Sequence, residues 1–196
     1  MNIIMGDPDG ATPLEPEEME GLKYKHVTTR SELDELEQAN ITNGMQWLSK
    51  KKAPDILTEK FVKELHKRLL GDVWCWAGTF RKTEKNIGIP PYLIAQNLQL
   101  LLDDTKYWIE NNTYPPLELA ARFHHRLVYI HPFPNGNGRH SRIIADAVLN
   151  SILGEPSIDW AGGYSLEKIG KRRSQYIAAL RAADGHDMGP LLEFVS

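Results

Sequence analysis

Ile143, Ile144, Ala147, Val148 and Leu149 form an almost wholly apolar helical run directly behind the polar, glycine-rich residues 131–142. A helix that is apolar all round cannot lie on a surface, so the chain must cover it with other elements. The rest of the sequence supplies helices. Thr58 is placed to cap a run in which Phe61, Val62, Leu65 and Leu69 recur at helical spacing. Leu57 and Val62 suit a hydrophobic staple, and Gly71 stops that helix. Pro90-Pro91 precedes a run with Ile94, Leu98, Leu101, Leu102, Trp108 and Ile109 on one face. Pro115-Pro116 suits the first turn of the next helix, through Leu119, Ala120, Phe123 and Leu127. Gly154 ends the apolar run, and Ser165 opens a late helix through Ile169, Tyr176, Ile177 and Leu180, followed by an apolar tail at 191–195.

Towards the N-terminus, residues 6–21 with Pro8, Pro13 and Pro16 read as an irregular arm. Ser31-Glu-Leu-Asp34 resembles a capping box ahead of a face made by Leu33, Leu36, Trp47 and Leu48, with a break expected at Asn43-Gly44. Extended chain is expected only between 73 and 89, as a short hairpin around 83–86. The expected class is all-α with one small hairpin.

Composition narrows the function classes. Of 196 residues, 41% are hydrophobic and 25% charged, enough apolar material for a core without disulfides. The formal net charge of -3 argues against a general polyanion binder, so no direct nucleic-acid binding is expected. Lys50-Lys-Lys52 and Lys171-Arg-Arg173 read as solvated surface. A single cysteine, Cys75, excludes an internal disulfide framework and suits a reducing cytoplasm. No apolar run approaches the ~18 residues of a membrane span, and residues 1–7 lack the flanks of a signal peptide.

The chemistry concentrates in His131-Pro-Phe-Pro-Asn-Gly-Asn-Gly-Arg-His-Ser-Arg142. A helix starting after Asn137-Gly138 presents N–H groups and a positive dipole end. Gly136 and Gly138 permit positive φ and a close approach to an anion. Arg139 and Arg142 lie three apart, on nearly one helix face, and can both reach a polyphosphate. His131 can accept a proton near neutrality. Together these suggest phosphoryl or nucleotidyl transfer. An Asn-Gly pair is also the strongest short-range hairpin signal, so the residues alone leave an anion cradle and a simple turn both open.

The segment resembles the signature of the Fic (Doc/Fic) family, His-x-Phe-x-Asp/Glu-Gly-Asn-Gly-Arg-x-x-Arg, at every fixed position but one. The similarity extends over much of 58–194, including a flap matched by Gly78-Thr-Phe-Arg81 to Asn86-Ile-Gly-Ile89 and a late helix with Tyr176-Ile-Ala-Ala-Leu180. Leu33-Asp-Glu-Leu-Glu-Gln-Ala-Asn-Ile41, with Trp47-Leu48, resembles the subgroup called mobile mystery protein B. The resemblance implies a Fic fold, a helical bundle around the motif helix with a β-hairpin flap. It divides the chain into an arm and helical extension at 1–57, with a candidate inhibitory helix at 31–50, and a Fic domain at 58–196. The implied activity is transfer of AMP from ATP to a Ser, Thr or Tyr hydroxyl of a target protein. His131 would be the general base and Phe133 a structural anchor. Gly136, Asn137 and Gly138 would form the anion hole, with Asn137 on the α-phosphate. Arg139 would steady the departing phosphates, and Arg142 would pair with the γ-phosphate. Flap residues Phe80, Arg81, Lys82, Thr83, Asn86, Ile87, Gly88 and Ile89 would dock the target as an added strand. The subgroup further suggests the toxin of a paired system with a small helix-turn-helix partner.

The departure is Asn135, where the family carries an acidic ligand for Mg²⁺. An Asn carbonyl can coordinate Mg²⁺ or Mn²⁺ but brings no charge, so reduced metal affinity is expected. A Doc-like phosphotransferase and a silent nucleotide- or partner-binding module are the alternatives. Many family members are held off by a Glu in a Ser/Thr-x-x-x-Glu-Gly/Asn helix that pairs with the second motif arginine. Ser31-Glu-Leu-Asp-Glu35 matches its first half, which makes Glu35, or nearby Glu37, the candidate to meet Arg142. His124, His125, His131 and His140 lack zinc-helix spacing and read as packing groups. Trp74 and Trp76 fit either core or a target groove.

Overall fold

The computed structural model describes residues 14–52, 54–161 and 170–196. Among the described residues eight α-helices run in chain order: α1 Pro16–Met19, α2 Arg30–Ser49, α3 Glu59–Leu70, α4 Ile94–Glu110, α5 Pro116–Ile130, α6 Asn137–Val148, α7 Lys171–Asp184 and α8 Gly189–Val195. α6 carries the apolar run and packs against α3 and α5. Ile144, Ala145 and Val148 are fully buried there and share one core with Val62, Leu65, Leu98, Leu101, Phe123 and Leu191. The covering helices demanded by an all-apolar segment are therefore those expected from the spacing.

Several starts and stops follow local chemistry. Thr58 accepts a hydrogen bond from the Phe61 N–H at 3.2 Å and begins α3. Pro116 occupies the first turn of α5, where its missing N–H costs nothing. The α-helical part of α6 stops at Val148, and a π-helical turn, Leu149–Leu153, carries the chain to Gly154 at φ 72°. The expected start at Ser165, with Ile169, lies outside the described residues.

α2 departs from expectation twice. Its capping box is Thr29 with Glu32, two residues earlier than the Ser31–Asp34 reading, because Thr29 is the extended residue whose hydroxyl meets the Glu32 N–H. The helix also runs unbroken through Asn43-Gly44. Gly44 is buried against Arg68 and Leu69 of α3, so it serves a close helix crossing rather than a break.

No strand occurs among the described residues. The β pairing there is one isolated antiparallel bridge, Leu22 to Trp74, which ties the arm to the segment after α3. The expected hairpin at the flap is an irregular loop. Its carbonyls at Thr83 and Ile89 accept from the Arg81 guanidinium rather than from a facing strand. Glu18 of α1 takes Thr83 Oγ1 at 2.9 Å and the Lys85 ammonium, further anchoring the loop through side chains.

Candidate active site

His131 closes α5 in the left-handed region, at φ 53° and ψ 60°. A bulky residue there is uncommon, and the conformation turns the chain sharply out of the helix into the motif loop. His131 is 4% exposed, and burial first, then the positive Arg81 nearby, drives its imidazole down to about 3. The main chain at Val128 acts in the opposite sense and favours the charged ring. The side chain is therefore neutral near pH 7, with a proton affinity below the near-neutral value expected from the sequence.

The loop after it is braced from inside. Phe133 is fully buried, stacked on His66 with ring centroids 3.7 Å apart and edge-on to His140 at 5.2 Å. Asn137 is 3% exposed; its carbonyl oxygen accepts from Phe133 N at 2.9 Å and its amide donates to Phe133 O at 2.8 Å. Both ends of that carboxamide thus brace the loop, each through one of the two bonds that it can make. Gly136 is the helix N-cap at φ 77°, and a Cβ there would collide with Leu70. Gly138, by contrast, lies inside α6, so one glycine of the pair carries the left-handed turn. The first bond inside α6 runs from His140 N–H to Gly136 O at 2.9 Å. The N–H groups of Asn137 and Gly138 begin the helix with no carbonyl inside it to meet, the arrangement that favours an anion.

Arg139 and Arg142 are both half-buried on α6. Arg142 lies over the Tyr176 ring at 5.6 Å, and its charge bears on His124 and on Asp146. Burial raises Asp146 to about 6, although Ile158 N–H, Trp160 Nε1–H and Arg142 all favour its charged form. Glu35, the inhibitory candidate, is exposed. The α2 carboxylate that reaches a motif arginine is Glu37, and the arginine is Arg139, with Nη1 to Oε2 at 2.6 Å. The other Glu37 oxygen accepts from Trp74 Nε1 at 2.7 Å, and Glu37 is 5% exposed. That bond also assigns Trp74 to the core, stacked on Trp76 at 4.9 Å.

His66 is a site residue that sequence spacing missed. Its Nδ1 accepts the Gly78 N–H at 3.0 Å, so its Nε2 carries the proton and donates to the Asn135 carbonyl, also at 3.0 Å. One fully buried imidazole thereby joins the root of the flap to the motif loop. Burial, then the neighbouring His140, holds it well below the ordinary histidine range. The available signal was a histidine on the otherwise apolar face of an amphipathic helix.

The flap residues divide into two sets. Arg81 and Ile89 are buried and Phe80 and Thr83 half-buried, while Lys82, Asn86, Ile87 and Gly88 are exposed. The exposed set lies open to solvent.

The donors present do not build a cation site by themselves. Asn135 Oδ1 accepts from Gly136 N–H at 2.6 Å, and no group of three or more His, Cys, Asp or Glu converges among the described residues. No described helix is long and apolar enough to cross a membrane.

Comparison with known proteins agrees with this geometry. The model of the Fic/DOC family matches residues 56–149. Protein adenylyltransferase Fic of Drosophila grimshawi is 35% identical over 147 residues, covering 71% of this chain and 28% of that protein. The protein of the same name from Aedes aegypti is 32% identical over 149 residues, 72% of this chain and 28% of that one. The chain thus spans under a third of these relatives. A Fic-1 fragment from C. elegans superposes with a TM-score of 0.65 at 26% identity, covering 82% of this chain and 48% of that one. BepC of Bartonella tribocorum, solved with bound AMPPNP, shares the fold at a TM-score of 0.68 and 17% identity, over 92% of this chain and 96% of that one. With its motif helix, its left-handed histidine and its braced glycine loop at residues 131–142, the chain belongs to the Fic/DOC family.

Proposed function

We propose that the protein is an adenylyltransferase that moves AMP from ATP to a hydroxyl side chain of a target protein, and that α2 restrains it. The observation that carries the reading is the left-handed turn at His131, which leads through the glycine loop into an anion-favouring helix start. The target hydroxyl gives its proton to the imidazole as its oxygen bonds the α-phosphorus. The bond from that phosphorus to the α,β-bridging oxygen breaks, and pyrophosphate leaves beside Arg139 and Arg142. Positioning and charge stabilisation supply most of the acceleration in such chemistry. The names of the relatives support adenylyl transfer over phosphate transfer. The exposed Cys75 thiol suits a reducing cytoplasm.

Glu37 holds the arginine that a leaving pyrophosphate needs, which supports a restraint within the chain. Glu37→Gln keeps an acceptor for Trp74 and removes the charge. Transfer is expected to rise roughly tenfold, the factor that about 1.4 kcal/mol of lost competition supplies. An unchanged rate and unchanged ATP affinity would dismiss the restraint.

Asn135 sets the metal dependence. A carboxylate about 4 Å from a cation is worth a few kcal/mol at an effective dielectric near 20. Asn135→Asp is therefore expected to lower the half-saturating Mg²⁺ concentration by about tenfold or more. An identical Mg²⁺ titration for the two proteins would show that phosphate and water alone hold the ion.

The overall test is labelled ATP with a cell lysate as target, in Mg²⁺ and in Mn²⁺. α-Phosphate label on protein supports adenylyl transfer, γ-label supports phosphate transfer, and neither supports a silent binding module.

A further inference from the structure

Arg81 is 2% exposed, a guanidinium among main-chain carbonyls. Nε donates to His131 O at 2.6 Å and Nη1 to Thr83 O at 2.9 Å. Nη2 donates to Ile89 O and lies 3.5 Å from Ile130 O. Its main-chain N–H donates to Pro132 O at 2.9 Å. One residue therefore meets both feet of the flap and three consecutive residues of the left-handed turn.

A second contact joins the same two segments. Gly88, in the exposed part of the flap, sits at φ 95°, and a Cβ there would fall 2.5 Å from the His131 Cβ and 2.8 Å from Arg81 Nη2. The flap backbone thus passes directly over the base. Planar, multiply donating guanidinium chemistry suits a hub of divergent carbonyls, which a lysine ammonium cannot reproduce. Buried carbonyls left without donors cost about 1–3 kcal/mol each, so the hub keeps the loop in one arrangement.

We propose that Arg81 is a positioning residue: it fixes the flap in register with His131, so that an acceptor hydroxyl docked on the flap meets the base. This rests on residues 131–142 being the transfer site and 80–89 the target flap. Arg81 itself never meets the target.

The test uses the full chain with Arg81→Met and Arg81→Lys, α-labelled ATP with lysate, AMPPNP binding, and amide exchange in peptides covering 82–90 and 128–136. Arg81→Met is expected to lower protein labelling by roughly 10²-fold, the scale of a misplaced reactant, while AMPPNP affinity changes less than about threefold. Arg81→Lys should fall between the two, and both peptides should lose protection together with the rest of the chain unchanged. Unchanged labelling overturns the proposal. So does faster exchange in one of the two peptides alone. A parallel fall in labelling, AMPPNP affinity and exchange protection everywhere also overturns it, since that marks a purely structural role. If Arg81→Met does not fold, Arg81→Lys carries the same readouts. If the wild-type protein labels nothing, adenylyl transfer fails as a reading, and the paired exchange response alone decides the role of Arg81.

Discussion

Replacing His131 with alanine is expected to lower protein labelling from α-labelled ATP by roughly 10²–10⁴-fold, the range for loss of a general base. Nucleotide affinity should hold, because the anion-facing groups belong to the start of α6. Alanine has a complication here, since the position is left-handed at φ 53° and such a conformation costs about 1–2 kcal/mol for an ordinary side chain. Asparagine tolerates that region and provides the cleaner variant. His131→Asn should lose the same activity with smaller effect on the unfolding midpoint. Labelling within about tenfold of wild type in both variants would remove His131 from the chemistry.

Lowering the pH from 7.5 to 5 is expected to destabilise the protein by several kcal/mol. His124, His131 and His140 are held at about 3, about 3 and about 4, in each case chiefly by burial, and His66 is also lowered. The folded chain keeps these rings neutral, while the unfolded chain protonates them below about 6.5. Their contribution is therefore full above the unfolded value and is lost as pH falls towards 4 and 3. At pH 5 each of the three is worth about 2 kcal/mol. Asp146 acts in the opposite sense. Raised to about 6 by burial, it binds its proton sooner in the folded state and returns about 1.4 kcal/mol at pH 5. The balance is a large share of the ~5–15 kcal/mol that holds a domain folded. Urea unfolding followed by circular dichroism at the two pH values reads it directly. A midpoint that does not move would show that these rings protonate in place.

The helices that surround the apolar run were legible because burial imposes a period that spacing reports. Phe61, Val62, Leu65 and Leu69 on α3 illustrate it, and Thr58 capped where its chemistry said. The motif loop was legible as a glycine turn leading into a helix. What escaped was pairing between distant parts of the chain. Glu37 meets Arg139 across 102 positions, and no local pattern separates it from Glu35. His66 joins Gly78 to Asn135 through two ring nitrogens, a role written in three places at once. The flap residues have strand-like composition, yet Arg81 and Glu18 satisfy the loop through side chains, which overrides that preference.

An exposed strand edge is a template for any passing chain, and proteins with long, flat, apolar edges tend to aggregate. A flap kept irregular by Arg81 offers no such edge at rest. Its outward residues include Lys82 and Glu84, charges that discourage indiscriminate pairing, and one exposed aliphatic side chain, Ile87. Under the proposed docking role, a partner would have to bring its own complementary segment before a ladder could form.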